Sequence, residues 1–390
     1  MKVLITTELY LPFRCGVTSA IEAERCALEK KGDEVRILTI SSNKKSYYDS
    51  SLKTWYIAQS LPQFYKDSYA SLNVHDKILL SLYEWKPDII HSQTEFFSFR
   101  FASHIANKLN LPLVHTCHTD FVSYTVHFTR FEKAWNYFTS LLVPLFIRRA
   151  DRIICSTDKI YSLISSYKVK QPIDRVLIGV DLDLFNKELE KSKRKKMRNS
   201  LGVKDSDILF VTVSRLSKEK NVCDVIRLFN LIKKKNEDAK LLIVGDGDER
   251  EELQELAKKY CLKDSISFVG EKKREEVWAY YKLGDIYIGA SLSETQCLSY
   301  IEAMASSLPL LVKYDTILSN YLISGVNGFS FNSDEEFLAL GDMLLHSEAK
   351  RKETAENARR SSLNFSLDIF GDKLHEVFLK AKEDRNGKKH

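Results

Sequence analysis

The sequence predicts two α/β domains in tandem, each a doubly wound, largely parallel sheet of Rossmann type. Three observations predict it. Short β-rich apolar runs alternate with helical segments along the whole chain. The alternation restarts after a charged connector near the middle. Charged residues and glycines stand where the strand-like runs end, which is where open α/β sheets hold their ligands.

The first half opens with KVLITTEL, a strand, then the loop YLPFRCGV and the helical stretch TSAIEAERCALEKKGD. Further strands are VRILTIS, DIIHSQ (88–93), LPLVHTCH (111–118) and RIICST (152–157), each paired with a helical segment. In the second half DILFVTVSR, AKLLIVGDG, SISFVG, DIYIGAS and LPLLVKY are strands. Helices over 219–235, 248–260, 273–283 and 298–306 separate them. The boundary falls near GVDLDLF (179–185), giving domains over 1–180 and 181–366 and a last helix, about 367–390, that packs back on the first domain.

Bulk properties narrow the class. A chain of 390 residues, 44% hydrophobic and 29% charged, is long enough for two sizeable cores. The longest apolar runs, such as SLLVPLFI, fall far short of the roughly 20 residues that span a bilayer. MKVLITTELYLPF reads as a strand rather than a signal peptide, and seven scattered cysteines without C-x-x-C spacing disfavour disulfides and zinc. A cytoplasmic location is expected. Net charge is +6, and NKELEKSKRKKMRNS (186–200) holds seven basic and two acidic residues. That balance suits an anionic surface or a phosphorylated ligand; a solvated helix explains 186–200 equally well. No nucleic-acid partner is expected.

Four strand ends carry chemistry. In VSRLSKEKN, Arg215 and Lys220 flank a turn into a helix, an arrangement that suits a diphosphate. In VGDGDER, Gly245 and Gly247 let the backbone approach a flat or phosphorylated ligand, but the spacing is not that of a dinucleotide fingerprint. FVGEKKREEV places Glu271 and Lys272 at a helix start, where backbone can meet a base. SETQCLSYIEAMA sets Glu294 at a strand's carboxyl end and Glu302 about one turn into the next helix. The N–H groups of Gln296, Cys297 and Leu298 lie at that helix's positive end. A carboxylate can grip sugar or ribose hydroxyls; the plain alternative is a helix cap and a surface residue.

In these motifs the chain resembles the retaining glycosyltransferases of family four, which have the GT-B fold of two Rossmann-like domains facing each other across a cleft. The family's Glu, seven residues, Glu is met by Glu294-TQCLSYI-Glu302, and its Arg/Lys turn by Ser214-Arg215-LSKE-Lys220. The resemblance implies an amino-terminal acceptor domain and a carboxy-terminal nucleotide-sugar domain. It implies that Arg215 and Lys220 bind the donor pyrophosphate, Glu294 contacts the transferred sugar and Glu302 holds the ribose. Gly16 matches a first-loop glycine where donor phosphate and acceptor meet, and His118 a histidine facing the donor sugar. Glu95, Asp120 and Tyr124 fall on the acceptor side. Departures are Cys15 before Gly16, Ser214 for a glycine, Gln296 and Cys297 where an aromatic residue is common, and Ala305-Ser306-Ser307-Leu308-Pro309; none removes a charged site residue.

No cofactor is expected beyond the donor, UDP-glucose in the first instance. Asp181-Leu182-Asp183 and Asp246-Gly247-Asp248 invite a metal reading, but Arg215, Lys220 and a helix N-terminus can neutralise the leaving diphosphate without one. Residues 91–124 and 159–185 are similar to bacterial enzymes that glucosylate diacylglycerol at the inner membrane face. Segments 44–69 and 128–149 interleave Lys/Arg with aromatics, as interfacial segments do, although aromatics at helical spacing also make cores. A saccharide or lipid-linked saccharide acceptor is the second expectation, and a non-catalytic subunit the third.

Overall fold

The computed structural model describes residues 1–11, 13, 15–62, 69–118, 142–292 and 294–387. Two compact units emerge, Met1–Gly179 with Leu367–His390, and Val180–Ser366. Asp120, Tyr124, Lys66 and most of 128–149 lie outside the described residues.

The first unit is built on eight strands: β1 (Lys2–Thr6), β2 (Glu34–Ser41), β3 (Tyr47–Asp49), β4 (Thr54–Ala58), β5 (Ile89–Ser92), β6 (Leu113–Cys117), β7 (Arg152–Cys155) and β8 (Ile173–Arg175). Their order is β3-β4-β2-β1-β5-β6-β7-β8. Every pairing is parallel except that of β3 with β4. The second unit carries β9 (Ile208–Val213), β10 (Ala239–Val244), β11 (Ile266–Phe268), β12 (Ile286–Gly289), β13 (Leu310–Lys313) and β14 (Gly328–Phe331), in the all-parallel order β11-β10-β9-β12-β13-β14. In each sheet the winding reverses beside the first strand, between β1 and β5 and between β9 and β12. These are the two topological switch points, the places where such sheets bind ligands.

The helices follow from periodicity. Helix Val222–Lys233 buries Val222, Val225, Ile226, Phe229 and Ile232, one stripe of a 3.6-residue repeat, against β10 and β12, with Phe229 meeting Phe210 of β9. Helix Gly16–Lys30 buries Ala20, Ile21, Glu24, Ala27 and Leu28 on one stripe. The last helix, Leu367–Gly387, packs along it so closely that a Cβ on Gly371 would stand 2.7 Å from Lys31 Cε. Ion pairs Lys31–Asp372 (2.6 Å) and Arg152–Asp384 (2.7 Å) fasten that helix to the first unit. The basic connector forms helix Lys191–Ser200 in the second unit. Two of its arginines turn inward: Arg198 is 1% exposed and binds Asp285 and the Leu283 carbonyl, and Arg194 binds Asp285 as well. Part of the segment's charge therefore holds the fold.

One expectation is corrected here. Segment 44–69, read as an interfacial stretch, contributes β3 and β4 to the sheet. Trp55 is 1% exposed, donates to Ser81 Oγ (2.9 Å) and packs on Trp85 and Tyr48, while Tyr56 stacks on Tyr47 at 4.8 Å. The Arg36 guanidinium lies over the Trp55 and Trp85 rings. Trp55 and Tyr56 point to opposite faces of β4 and are both buried, whereas Tyr47 and the preceding Lys44 and Lys45 are exposed. Trp55→Ala should therefore lower folding stability by about 3–5 kcal/mol in urea titration, as truncations of buried tryptophan do. An unchanged midpoint would show that this ring carries no core load.

Candidate active site

At the second unit's switch point, the loop after β9 and the loop after β12 are tied together. Leu292 N–H donates to Glu219 O (2.9 Å), and Asn221 Nδ2 donates to Ala290 O (3.1 Å). Between these ties Lys220 Nζ donates to Glu294 Oε1 at 2.5 Å. Glu294 is buried, and Lys220 is largely so. Burial alone would drive the lysine toward neutrality, but the Glu294 charge outweighs it and holds the ammonium above its ordinary range. Arg215 extends to Glu219 (2.7 Å), which also accepts from Ser217. Burial raises the Glu219 pKa and these two hydrogen bonds more than reverse it, so its carboxylate stays ionised. Ser214 Oγ beside them is buried without a hydrogen-bond partner.

Loops after β9, β10 and β11 are laced edge to edge. Gly245 N–H donates to Gly270 O (3.0 Å), Leu216 N–H to Asp246 O (2.9 Å) and Glu249 N–H to Leu216 O (3.1 Å). Gly245 sits at φ +139, where a Cβ would lie 1.8 Å from Ser214 O; one on Gly247 would lie 2.2 Å from Leu216 O. The glycine requirement is thus imposed by the neighbouring loop, a physical reason the sequence does not display. Lys272 reaches over the Tyr280 ring, and Glu271 is exposed. Asp246 is engaged by Arg250 (2.6 Å) and Gly247 N–H, and Asp181 caps helix Leu182–Phe185, so both Asp-x-Asp runs have local structural work.

Helix Leu298–Ala305 starts at Cys297, with Gln296 and Cys297 both buried. Burial, then the Glu294 charge, pushes the Cys297 thiol up and keeps it neutral. Glu302, further along this helix, accepts from Tyr281 Oη at 2.8 Å. Burial raises its carboxyl above the usual range, with the Tyr281 hydrogen bond and Arg274 opposing.

The first unit has its own cluster. Gly16 opens its helix with nothing within 4 Å of a would-be Cβ. His118, just past β6, binds Gln93 Oε1 through Nε2 at 2.6 Å. Burial, then neighbouring His91 and His115, pushes its pKa down to about 3, so the ring is neutral. Glu95 is buried, with Oε1 unpartnered and 3.7 Å from His115 Nε2. Glu95, His115 and Cys117 each offer one ligand-type atom within 4.8 Å of the others, and Phe99 meets the His115 ring edge-on.

Sequence reasoning missed Glu8, Glu24, Gln93, Glu219 and Tyr281. Glu8, second to last in the run KVLITTEL, accepts from Ser98 N–H (2.8 Å), capping helix Phe97–Leu109, whose own Phe96 N-cap offers no side-chain bond. Its place at a strand end was the available signal. Glu24 stands on an otherwise apolar helical stripe, which is also legible.

Residues 16–184 match the family described as Glycosyltransferase Family 4, and residues 193–361 match Glycosyl transferases group 1. Alpha-monoglucosyldiacylglycerol synthase of Streptococcus pneumoniae is 30% identical over 386 residues, spanning 98% of this chain and 86% of that protein. Its counterpart from Acholeplasma laidlawii is 28% identical, spanning 100% and 99%. Among solved structures, Anabaena HepE in complex with UDP and glucose superimposes with a TM-score of 0.77 at 16% identity, covering 97% of this chain and 100% of that one. The fold is GT-B.

The capping role of Glu8 yields a pH prediction. Burial, offset in part by the Ser98 N–H and added to by Glu95, raises its pKa to about 7. A carboxyl whose folded pKa exceeds its unfolded one contributes stability that is full below the unfolded pKa and lost as pH rises through the folded one. From about pH 5 to about pH 8, wild type should lose stability relative to Glu8→Gln, whose amide oxygen still caps the helix. A stability difference independent of pH would remove Glu8 from this role.

Proposed function

The chain belongs to glycosyltransferase family 4, and from that premise we propose that it transfers a hexose, glucose in the first instance, from UDP-glucose to a diacylglycerol-type lipid with retention at the anomeric carbon. The observation that carries this reading is the Lys220–Glu294 contact at a switch point, with Arg215 and Ser214 on the same loop. Two fixed cations and the start of helix Leu298–Ala305 would neutralise charge on the leaving diphosphate, the stage at which a transferase needs it most. Once the diphosphate engages Lys220, the Glu294 carboxylate is available to orient the sugar and favour positive charge developing at its anomeric carbon. Arg215 and Lys220 supply the neutralisation a bound metal would give, so turnover is assigned as metal-independent. Glu302, braced by Tyr281, would take ribose hydroxyls. The amino-terminal unit takes the acceptor, with Glu95, Asp120 and Tyr124 assigned to it, while Gly16 is assigned to the donor phosphate and His118 to the donor sugar.

Glucose and a lipid acceptor are favoured by the two full-length relatives, both alpha-monoglucosyldiacylglycerol synthases. No helix among the described residues is long and apolar enough to cross a membrane. Docking at the inner membrane face would then use exposed groups: Lys44, Lys45 and Lys77 around one groove, with Leu72 (43% exposed) and Leu80 (58%) on nearby chain. In the described part of 128–149, Leu145, Arg148 and Arg149 point outward. Burial of Trp55 and Tyr56 takes aromatic area away from that face, and this favours the second reading, a saccharide or lipid-linked saccharide acceptor.

Incubation with UDP-glucose and diacylglycerol in anionic vesicles should give an α-glucosyl lipid, and excess chelator should leave the rate unchanged. Replacing Lys44, Lys45 and Lys77 by Ser, with Trp55 untouched, should weaken vesicle binding by roughly 1 kcal/mol per lysine, and UDP binding should persist. A wild-type protein that ignores anionic vesicles at low salt while glycosylating a soluble saccharide would put the second reading first.

A further inference from the structure

We propose that Glu24 and Gln93 are positioning residues for His118, holding it in the neutral tautomer protonated on Nε2, with Nδ1 left as a hydrogen-bond acceptor. The proposal rests on reading His118 as the side chain that faces the donor sugar.

A buried chain carries it. His118 Nε2 meets Gln93 Oε1 at 2.6 Å, and Gln93 Nε2 meets Glu24 Oε2 at 2.9 Å. Glu24 Oε1 meets His91 Nδ1 at 2.6 Å, and His91 Nε2 meets Thr116 Oγ1 at 2.7 Å. Glu24 is 2% exposed, and His91 and Gln93 are each 1% exposed. Apolar Ile154, Val176, Ile178, Phe370 and Leu374 line the same small cavity, and Phe378 from the last helix meets the His91 ring edge-on. With little water to exchange for, a mismatched donor or acceptor here costs a whole hydrogen bond.

The direction of the chain follows from one group. Gln93 turns its NH₂ toward Glu24, whose carboxyl oxygen accepts from it, and its carbonyl oxygen toward His118. That carbonyl oxygen only accepts, so His118 must carry its proton on Nε2. His91 Nδ1 faces the same carboxylate, and its Nε2 faces the Thr116 hydroxyl, which can either donate or accept. Each link from Glu24 to His118 is determined by the one before it, and Glu24 is the source. The order Glu24, Gln93, His118 runs from the first helix through the end of β5 to the end of β6, beside the switch point of this unit. An unprotonated Nδ1 can receive a sugar or acceptor hydroxyl, whereas the opposite tautomer would present an N–H to it.

The test is nitrogen NMR of the ¹⁵N-histidine-labelled full chain, with His118 assigned by its loss in His118→Asn. Wild type should show the Nε2–H tautomer. Glu24→Gln gives Gln93 a partner that both donates and accepts, so the amide can reverse. His118 should then shift toward Nδ1–H, with kcat falling at least about tenfold and donor KM little changed. The double variant Glu24→Gln, Gln93→Glu puts an acceptor-only group next to His118 again. It should restore Nε2–H and most of kcat, which a purely structural role would not predict. Far-UV circular dichroism and the urea midpoint of the full chain report that each variant is folded. An Nδ1–H tautomer in wild type, a tautomer indifferent to Glu24→Gln, or a folded double variant without recovery overturns the proposal. The tautomer is read without turnover, so absence of transfer to any acceptor, with the tautomers as stated, would count against the proposed reaction alone.

Discussion

An ammonium and a carboxylate held 2.5 Å apart, both largely withdrawn from water, join the two loops at the switch point of the carboxy-terminal unit. Such a pair gains little net stability, because desolvating two ions offsets most of their attraction. Here Lys220 and Glu294 come from loops on either side of the switch point, and the residues flanking Lys220 tie those loops together, Glu219 O accepting from Leu292 N–H and Asn221 Nδ2 donating to Ala290 O. Gly245 and Gly247 permit the next loop to lie against the first, which holds Ser214 and Arg215 in place. The strand order, the glycines and the loop ties all converge on one charged corner. On the proposed reading the diphosphate competes for Lys220 and in doing so makes Glu294 available to the sugar, so that one contact couples recognition of the two halves of the donor.

The amino-terminal unit solves a different problem at its own switch point. Its polar side chains are uncharged or directional rather than cationic: a raised Glu8 carboxyl capping a helix, a neutral His118, and a hydrogen-bond chain set by Glu24. A hydroxyl-bearing acceptor calls for oriented donors and acceptors more than for charge. The last helix backs this arrangement through Phe370, Leu374 and Phe378, so the end of the chain contributes to the same unit as its beginning.

Much of this was legible in the sequence, and the reasons for the exceptions are physical. Parallel strands buried on both faces read as continuous apolar runs, so β1, β2, β5, β6, β7 and β9 to β13 stood out. Strands β3, β4, β8 and β14 did not. Around β3 and β4, aromatic residues flanked by lysines resemble an interfacial segment as closely as they resemble an edge of a sheet, and only pairing with β2 shows where Trp55 points. The corner around Arg215, Lys220 and Glu294 was visible because its residues sit at strand ends in motif spacing. Pairing was not visible: nothing local tells that Lys220 meets Glu294 or that Glu302 meets Tyr281. Glu24 and Gln93 are 69 positions apart, and their contact exists only once the helix stripe and the end of β5 are superposed.

The most direct measurement is calorimetric UDP affinity in Lys220→Met and Glu294→Gln beside the wild type, with transfer rates recorded on the same samples. The account predicts that Lys220→Met weakens UDP by about 2–3 kcal/mol, the scale of a lost charge-assisted contact. Glu294→Gln should bind UDP as tightly as wild type or slightly tighter, because its partner lysine is less committed, while transfer falls at least about a hundredfold. Unchanged UDP binding in Lys220→Met, or equal losses of UDP affinity and transfer in Glu294→Gln, would contradict it.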